Sequence, residues 1–473
     1  MAGLDVGEIL ARRRGEEAAL HERNMNPQLV RVLRTIGFDR TWVGGEGPYL
    51  IDEAGERYLD LLSGYGVFAL GRNHPAVRTQ LEQTLAAETP NMPQLGLALL
   101  PGVLAEELLK RAPANLGAAL FTSSGAEAVE AAIKLSRAAT GRERILHWSG
   151  SFHGLTYGPL SLCGGEEFRE RFGPFLPGCE PVPFGDLDEL ESRLRRGDVA
   201  AFVFEPIQGK GVRIPAPDCL PRAQELCRRH GTLFVADEVQ TGLGRTGRFL
   251  ASEHWGLEPD LVTLSKALSG GYVPIGALLS TRKVFDAVFD GMERAVVHGS
   301  TFAPNDLASA AGLATLQAVD DEQLVARSAQ MGERLLELTR PLAERHEVVR
   351  EVRGAGLMWA IEFGPPAGAA AKRLWKLVEG RQPGLFAQLV VGPLFHEHRI
   401  LTQVAGHHMN VLKALPPLVT PETELERFAA ALDDVIERAE RFPRAIARFG
   451  LDVAKRGIRR ERSPAATAGL TES

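Results

Sequence analysis

Between residues 76 and 335, short unbroken apolar runs alternate with helical stretches, and this alternation constrains the fold more than any other feature of the chain. ALFTS (119–123) runs into a helix from Gly125 to about Thr140, and RILHW (144–148) precedes a glycine-rich loop. AAFVFEP (200–206) ends on an acid and a proline, and a helix over 219–230 leads into TLFVADE (232–238). Apolar runs of this length, without polar alternation, are strands buried on both faces, and the helices between them are crossovers of a mostly parallel sheet. The expected class is α/β, with ligands gathered at the carboxyl ends of the strands.

The pattern changes on either side. The first forty residues read as one or two charged amphipathic helices, and GPYLIDEAGERYLDLLSGYG as two strands around the turn Asp52–Gly55. Beyond 336, VVREVRGAGLMWAIEF reads as a strand pair, followed by helices near 370–398 and 421–440 and strands at 400–403 and 410–414. The expected organisation is an N-terminal segment (1–75) contributing to a small domain, a large domain (76–335), an α+β small domain (336–445) and an aperiodic tail (446–473).

Composition removes several classes of function. The 473 residues carry 54 basic and 60 acidic side chains, net −6, which argues against a nucleic-acid footprint. The apolar run LFAQLVVGPLF from Leu385 is interrupted by Gln388 and is too short for a membrane span of about 18 residues. Four cysteines without a CxxC spacing, and charged residues in place of a signal-peptide core, point to a reducing, cytoplasmic setting.

Some motifs are misleading. Gly242, Gly244 and Gly247 match GxGxxG, but DEVQT separates the strand from the first glycine, and Asp237 and Glu238 would repel a pyrophosphate. A structural or substrate-side loop is expected there. No GxSxG elbow or Walker loop occurs. His396 with His398, and His407 with His408, lack metal-ligand spacing and read as exposed loop histidines, so no metal is expected.

Three features carry the chemistry. VADEVQ puts Asp237 just past a buried strand, where a carboxylate needs a cationic partner. DLVTLSK delivers Lys266 to a second strand end, as a surface residue or as an amine kept neutral for Schiff-base chemistry. In SSGAEAVEAAIK, Ser123, Ser124 and Gly125 open a helix whose free N–H groups form an anion site. A phosphate cradle, a carboxylate and a reactive amine at one end of one sheet describe a pyridoxal 5′-phosphate site.

At this point the chain resembles the class III (ω-type) aminotransferases of the fold-type I pyridoxal-phosphate group. SSGAEAVEAAIKL, SFHG, EPIQGKG, DEVQTGLGRTG, LSKALSGG, STFAPN, RGAGLM and a late PPL carry the resemblance, in order, over about residues 45–440. GYGVFALGRNHP and VPFGD make it particularly similar to the putrescine/ornithine branch. The resemblance implies that Lys266 holds the cofactor as a Schiff base and shuttles the substrate proton. Asp237 would pair with the ring nitrogen. Gln240 would hydrogen-bond the ring hydroxyl, Phe152 stack on one face, Val239 pack beneath the other, and His153 lie beside the cofactor. Ser124, Gly125 and Ala126 would hold the phosphate, and Thr301 would reach the phosphate of the neighbouring subunit, which makes a homodimer with shared sites.

The chain departs from the family pattern at two positions where members acting on amino acids carry arginines. Leu155 stands at one and Lys413 at the other; lysine grips a carboxylate only as a point charge. Glu205, the family's gating carboxylate, is expected to pair with Lys413, and Tyr65 and Phe68 to line the entrance. The implied reaction transfers an amino group from a terminal amine (a diamine, an ω-amino acid or a long-chain amine) to an oxo acid. An amino-acid aminotransferase of the ornithine or 4-aminobutyrate type, a decarboxylase or aminomutase on the same fold, and a non-catalytic scaffold are the alternatives.

Overall fold

The computed structural model describes residues 5–93 and 96–441; the expected tail 446–473 lies outside them. Its central sheet has seven strands, in the order Leu116–Thr122, Gly276–Thr281, Leu261–Leu264, Leu233–Asp237, Val199–Phe204, Arg144–Trp148 and Cys179–Val182. The five from Leu261–Leu264 to Cys179–Val182 pair in parallel. Gly276–Thr281 runs antiparallel between Leu116–Thr122 and Leu261–Leu264.

The unbroken apolar runs have a direct cause. All six residues of Val199–Phe204 are buried. Alternate side chains enter different cores: Phe202 and Phe204 join Phe234 on one face, and Ala201 and Val203 join Val235 on the other. Phe204 and Phe234 lie with ring centroids 4.2 Å apart, and Phe202 meets Trp148 edge-on at 4.7 Å. Strands Cys179–Val182 and Gly276–Thr281 were not foreseen, because CEPV is short and carries a proline, and GALLST opens on glycine and ends on hydroxyls.

Two smaller four-stranded sheets flank the centre. The N-terminal one holds Trp42–Glu46, Tyr49–Asp52 and Arg57–Asp60 and accepts Ile400–Leu401 in parallel from the far end of the chain. The other is antiparallel, ordered Val349–Ala355, Met358–Phe363, Val411–Ala414, Gln403–Val404. The expected single strand at 400–403 is therefore two pieces in two sheets, and the helical region 370–398 is two helices, Ala369–Glu379 and Leu385–His396. Three helices, not one or two, precede the first strand: Val6–Arg13, Glu17–Asn24 and Pro27–Ile36. Among the described residues no helix is long and apolar enough to cross a membrane.

The GLGRTG segment is a packing loop. Gly247 has φ +83°, and a Cβ there would lie 2.8 Å from Ala329 Cβ. Arg245 is buried and its Nη1 donates to the carbonyls of Leu357 (3.0 Å) and Pro416, which ties this loop to the antiparallel sheet and to the PPL turn. His396 and His398 are not exposed loop residues: His396 closes its helix with Nε2–H to Ile36 O at 3.0 Å, and His398 pairs with Asp434 at 3.1 Å. His407 and His408 are exposed.

Candidate active site

The parallel register sets Asp237 opposite Thr263, and the site grows from that pair. Asp237 is 4% exposed. Its Oδ1 accepts from Thr263 Oγ1 at 3.0 Å and from the Val239 N–H at 3.1 Å; its Oδ2 accepts from His153 Nδ1–H at 2.6 Å. These charge-assisted contacts offset the cost of removing a carboxylate from water. Burial opposes charge on the His153 imidazole, but the hydrogen bond and charge of Asp237, aided by Glu205, outweigh it and raise its pKa.

Three residues beyond Thr263 the chain leaves its strand and Lys266 takes φ +42°, a left-handed conformation that costs a side-chain-bearing residue about 1–3 kcal/mol. Enclosure lowers the pKa of the Lys266 amine, while Asp237 and Glu205 oppose the shift. Across from it, helix Gly125–Thr140 begins. Ser124 Oγ caps it by accepting from the Glu127 N–H at 3.2 Å, so this hydroxyl shapes the anion site as a helix cap. The N–H groups of the first helical residues have no intrahelical acceptor. Glycine at 125 leaves room for close packing: a Cβ there would stand 3.0 Å from Val239 Cγ1 and 3.2 Å from Ser265 Cβ, so those side chains would have to give way.

The expected Glu205–Lys413 ion pair is absent; the two side chains meet at opposite ends of one residue. Glu205 Oε1 accepts the Gly209 N–H at 2.8 Å, and Lys413 Nζ donates to the Gly209 carbonyl at 2.8 Å. Glu205 Oε2 accepts from the Phe152 N–H at 3.0 Å. With backbone N–H donors serving both oxygens, Glu205 holds its loop without a cation. Burial raises its pKa; His153 opposes that and Asp237 adds to it. Lys413 also donates to Gln240 Oε1 at 3.3 Å, and Gln240 Nε2 donates to Tyr65 O at 3.1 Å. Burial pushes the Lys413 amine down to about 7, helped by Lys266 and Arg245 and opposed by Glu205.

These residues enclose a cavity of about 800 Å³. Tyr65, Gly125, Ala126, Phe152, His153, Leu155, Glu205, Asp237, Val239, Gln240, Lys266 and Lys413 all line it; Ser124 and the exposed Thr301 are not part of its lining. Phe68 is not part of the lining: it packs under Arg72, whose guanidinium carbon is 3.6 Å from the ring centroid, and against Gly271. The outer wall was missed at the sequence level. Phe168 meets Phe152 edge-on at 5.3 Å, Glu167 pairs with Lys210 at 2.5 Å, and His407 reaches Glu167 at 3.5 Å. The interrupted helical pattern GGEEFRE gave no sign that this segment returns to the cavity mouth.

The fold and this constellation place a buried acid, an amine of lowered pKa and an open helix start around one cavity. Comparison with known proteins agrees. The family model for aminotransferase class-III matches residues 38–436, and the chain belongs to that family. It is 38% identical over 403 residues to a putrescine aminotransferase from Pectobacterium atrosepticum, covering 82% of this chain and 85% of that protein. It is 35% identical over 471 residues to aminotransferase PigE from Serratia sp., covering 92% of this chain; it spans only 55% of PigE's length. Among solved structures it resembles the ornithine aminotransferase of Toxoplasma gondii, described with partial occupancy of PLP at its active site, at TM-score 0.76 and 28% identity, covering 90% of this chain and 99% of that one.

The family's cofactor is pyridoxal 5′-phosphate, and the residues present fit it. Helix Gly125–Thr140 begins at the cavity with Gly125 and Ala126 lining it, a buried carboxylate stands at one strand end, and an amine of lowered pKa stands at the next.

The buried Lys413 amine yields a stability prediction. Its folded pKa of about 7 lies below its unfolded value, so between about pH 7 and 10.5 the unfolded chain binds the extra proton and stability rises with pH. In urea titrations, the stability of the wild type relative to Lys413→Met should therefore increase from pH 7 to pH 10. A difference independent of pH would show that Lys413 titrates alike in both states.

Proposed function

We propose that this chain is an aminotransferase for terminal amines, passing the amino group to an oxo acid such as pyruvate or 2-oxoglutarate. The observation that carries the reading is Lys266 and Asp237 on adjacent strand ends of one cavity. When bound, pyridoxal 5′-phosphate supplies an electron sink that stabilises charge at the substrate carbon. Lys266 would hold its aldehyde end and, once released, carry the proton at that carbon through Nζ. Asp237, oriented by His153 and Thr263, would pair with the ring nitrogen and favour its protonated form. The N–H groups of Gly125 and Ala126 would hold the phosphate, Phe152 and Val239 would pack against the ring, and Gln240 would hydrogen-bond the ring oxygen. The same lysine and acid would serve a decarboxylase or mutase; the putrescine aminotransferase likeness favours amino transfer.

The division into a large cofactor-binding domain (76–335) and a small domain from residues 1–75 and 336–445 is part of this reading, as is a cytoplasmic location. So is a homodimer. Thr301 is exposed and outside its own cavity, as a residue serving the partner's phosphate would be.

Substrate preference follows from the wall. Leu155 is 55% exposed and lines the cavity with Phe168, Val404 and Ala405, while Lys413 is engaged by Gly209 and Gln240. A carboxylate-gripping arginine is missing at both positions, and apolar wall favours methylene chains by about 0.8 kcal/mol per buried CH₂. The preferred donors are diamines and longer alkyl amines without an α-carboxylate.

Three outcomes are expected. Lys266→Ala should lose the visible absorbance of the bound cofactor and all measurable turnover while remaining folded; near wild-type turnover would remove Lys266 from its role. Active protein should sediment as a dimer or a multiple of one, and a fully active monomer at assay concentration would contradict the shared site. In kcat/KM comparisons, putrescine and a longer alkyl amine should exceed ornithine and 4-aminobutyrate. Leu155→Arg should narrow that gap by roughly ten- to hundred-fold, since one charged hydrogen bond contributes about 1.5–3 kcal/mol. A wild type that prefers the carboxylated pair rules the preference out.

A further inference from the structure

Lys413 occupies a place that the reading above leaves without a role. It is 4% exposed on strand Val411–Ala414 and forms no ion pair among the described residues, although Glu205 and Asp237 line the same cavity. Its two hydrogen bonds go to the Gly209 carbonyl and to Gln240 Oε1. The second of these decides an orientation. A lysine ammonium only donates and a backbone carbonyl only accepts. With Lys413 at one end of the Gln240 amide and Tyr65 O at the other, only one arrangement satisfies both: Oε1 toward Lys413 and Nε2 toward Tyr65. The flipped amide would set N–H against ammonium and oxygen against carbonyl oxygen.

Both ends of this clamp are themselves held. Tyr65 carries φ +62° next to Gly64 at +62°, so its carbonyl is presented by an unusual backbone turn. Gly209, the other acceptor for Lys413, is fixed through its N–H to Glu205, and a Cβ on it would lie 2.5 Å from Gln240 Oε1. Glycine at 209 thus lets Gln240 and Lys413 approach. One amide N–H of Gln240 goes to Tyr65 O, and the second remains for the cavity that Gln240 lines.

We propose that Lys413 is a positioning residue: it fixes the Gln240 amide so that an N–H, and not the carbonyl, faces the cofactor's ring oxygen. This rests on Gln240 being the ring-oxygen contact. The role survives deprotonation of Lys413, because a neutral amine keeps two N–H donors for Gly209 O and Gln240 Oε1. It also assigns Lys413 to the cofactor and not to a substrate carboxylate.

The test is a double-mutant cycle on the holoenzyme, read as the pH at which the visible absorbance of the bound cofactor changes. Apart from Lys413 itself, the charged and titratable groups lining the cavity (Asp237, His153, Glu205, Lys266, Lys210, His407, His408) are the same in every protein compared. An N–H facing the ring oxygen favours its deprotonated form, so Gln240→Leu should raise that pH by about one unit, a tenfold change in proton affinity. Lys413→Met should reproduce most of this shift, and the double variant should shift no further than Gln240→Leu alone. Lys413→Arg, also a pure donor, should titrate like the wild type. Shifts that add would mean that Lys413 acts on the ring through its charge alone, and would overturn the proposal. An unshifted Lys413→Met, or Lys413→Arg titrating like Gln240→Leu, would overturn it equally, and the arginine variant decides the matter should the methionine variant not fold. A wild-type protein with no visible cofactor band would instead fail at the cofactor assignment, and this inference would fall with it.

Discussion

The buried carboxylate of Asp237 is the interaction on which the rest of the site depends. An isolated charge at that depth would cost several kcal/mol, and removing one partner from a buried pair typically costs about 3–5 kcal/mol. Asp237 persists there because three donors from three segments converge on it: His153 from the loop after Arg144–Trp148, Thr263 from the neighbouring strand, and the Val239 N–H from its own chain. That convergence locks the strand end, the loop and the next strand in mutual register. Lys266 follows Thr263 by three residues, so the amine's location is tied to the strand that also donates to the acid.

Around this centre the cavity divides by chemistry. The inner part is crowded with charge: Asp237 and Glu205 against His153, Lys266 and Lys413. Each cation's pKa reports the balance. His153 touches a carboxylate and is raised; Lys266 and Lys413 touch none and are lowered by burial. A lysine of lowered pKa has a larger neutral fraction, and the neutral amine is the nucleophile. On the proposed reading, Lys266 would react without a direct ion pair, and His153, paired with Asp237, would only orient it.

Much of this was legible in the sequence, and the physical reasons for the omissions are specific. Buried strands announce themselves through continuous apolar runs, which located Asp237 and Lys266 at strand ends. The antiparallel strand Gly276–Thr281 carries no such run, and its glycine at 276 is required because a Cβ would lie 2.3 Å from Ser124 O. The His153–Asp237 contact joins residues 84 apart in the chain, so local pattern contains no trace of it. The expected pairing of Glu205 with Lys413 carried over the family's gating carboxylate to this chain. Backbone N–H groups of Phe152 and Gly209 satisfied the carboxylate first.

The outer wall raises a different constraint. Phe168, Leu155, Val404 and Ala405 present apolar surface, yet the rim behind them is tied by Glu167, Lys210 and His407. Lys210 also lies over the Phe168 ring, 4.7 Å from its centroid, so the aromatic wall and the ion pair share one cation. A substrate carboxylate arriving at the rim would have to compete with Glu167 for Lys210, whereas a diamine's second ammonium would meet a carboxylate, Glu167, that already serves both Lys210 and His407. The first exchange replaces an existing charge pair and gains little. A methylene chain displaces no such pair and gains its burial outright. On the proposed reading, selectivity would then come as much from charges already satisfied at the mouth as from the arginines absent at 155 and 413.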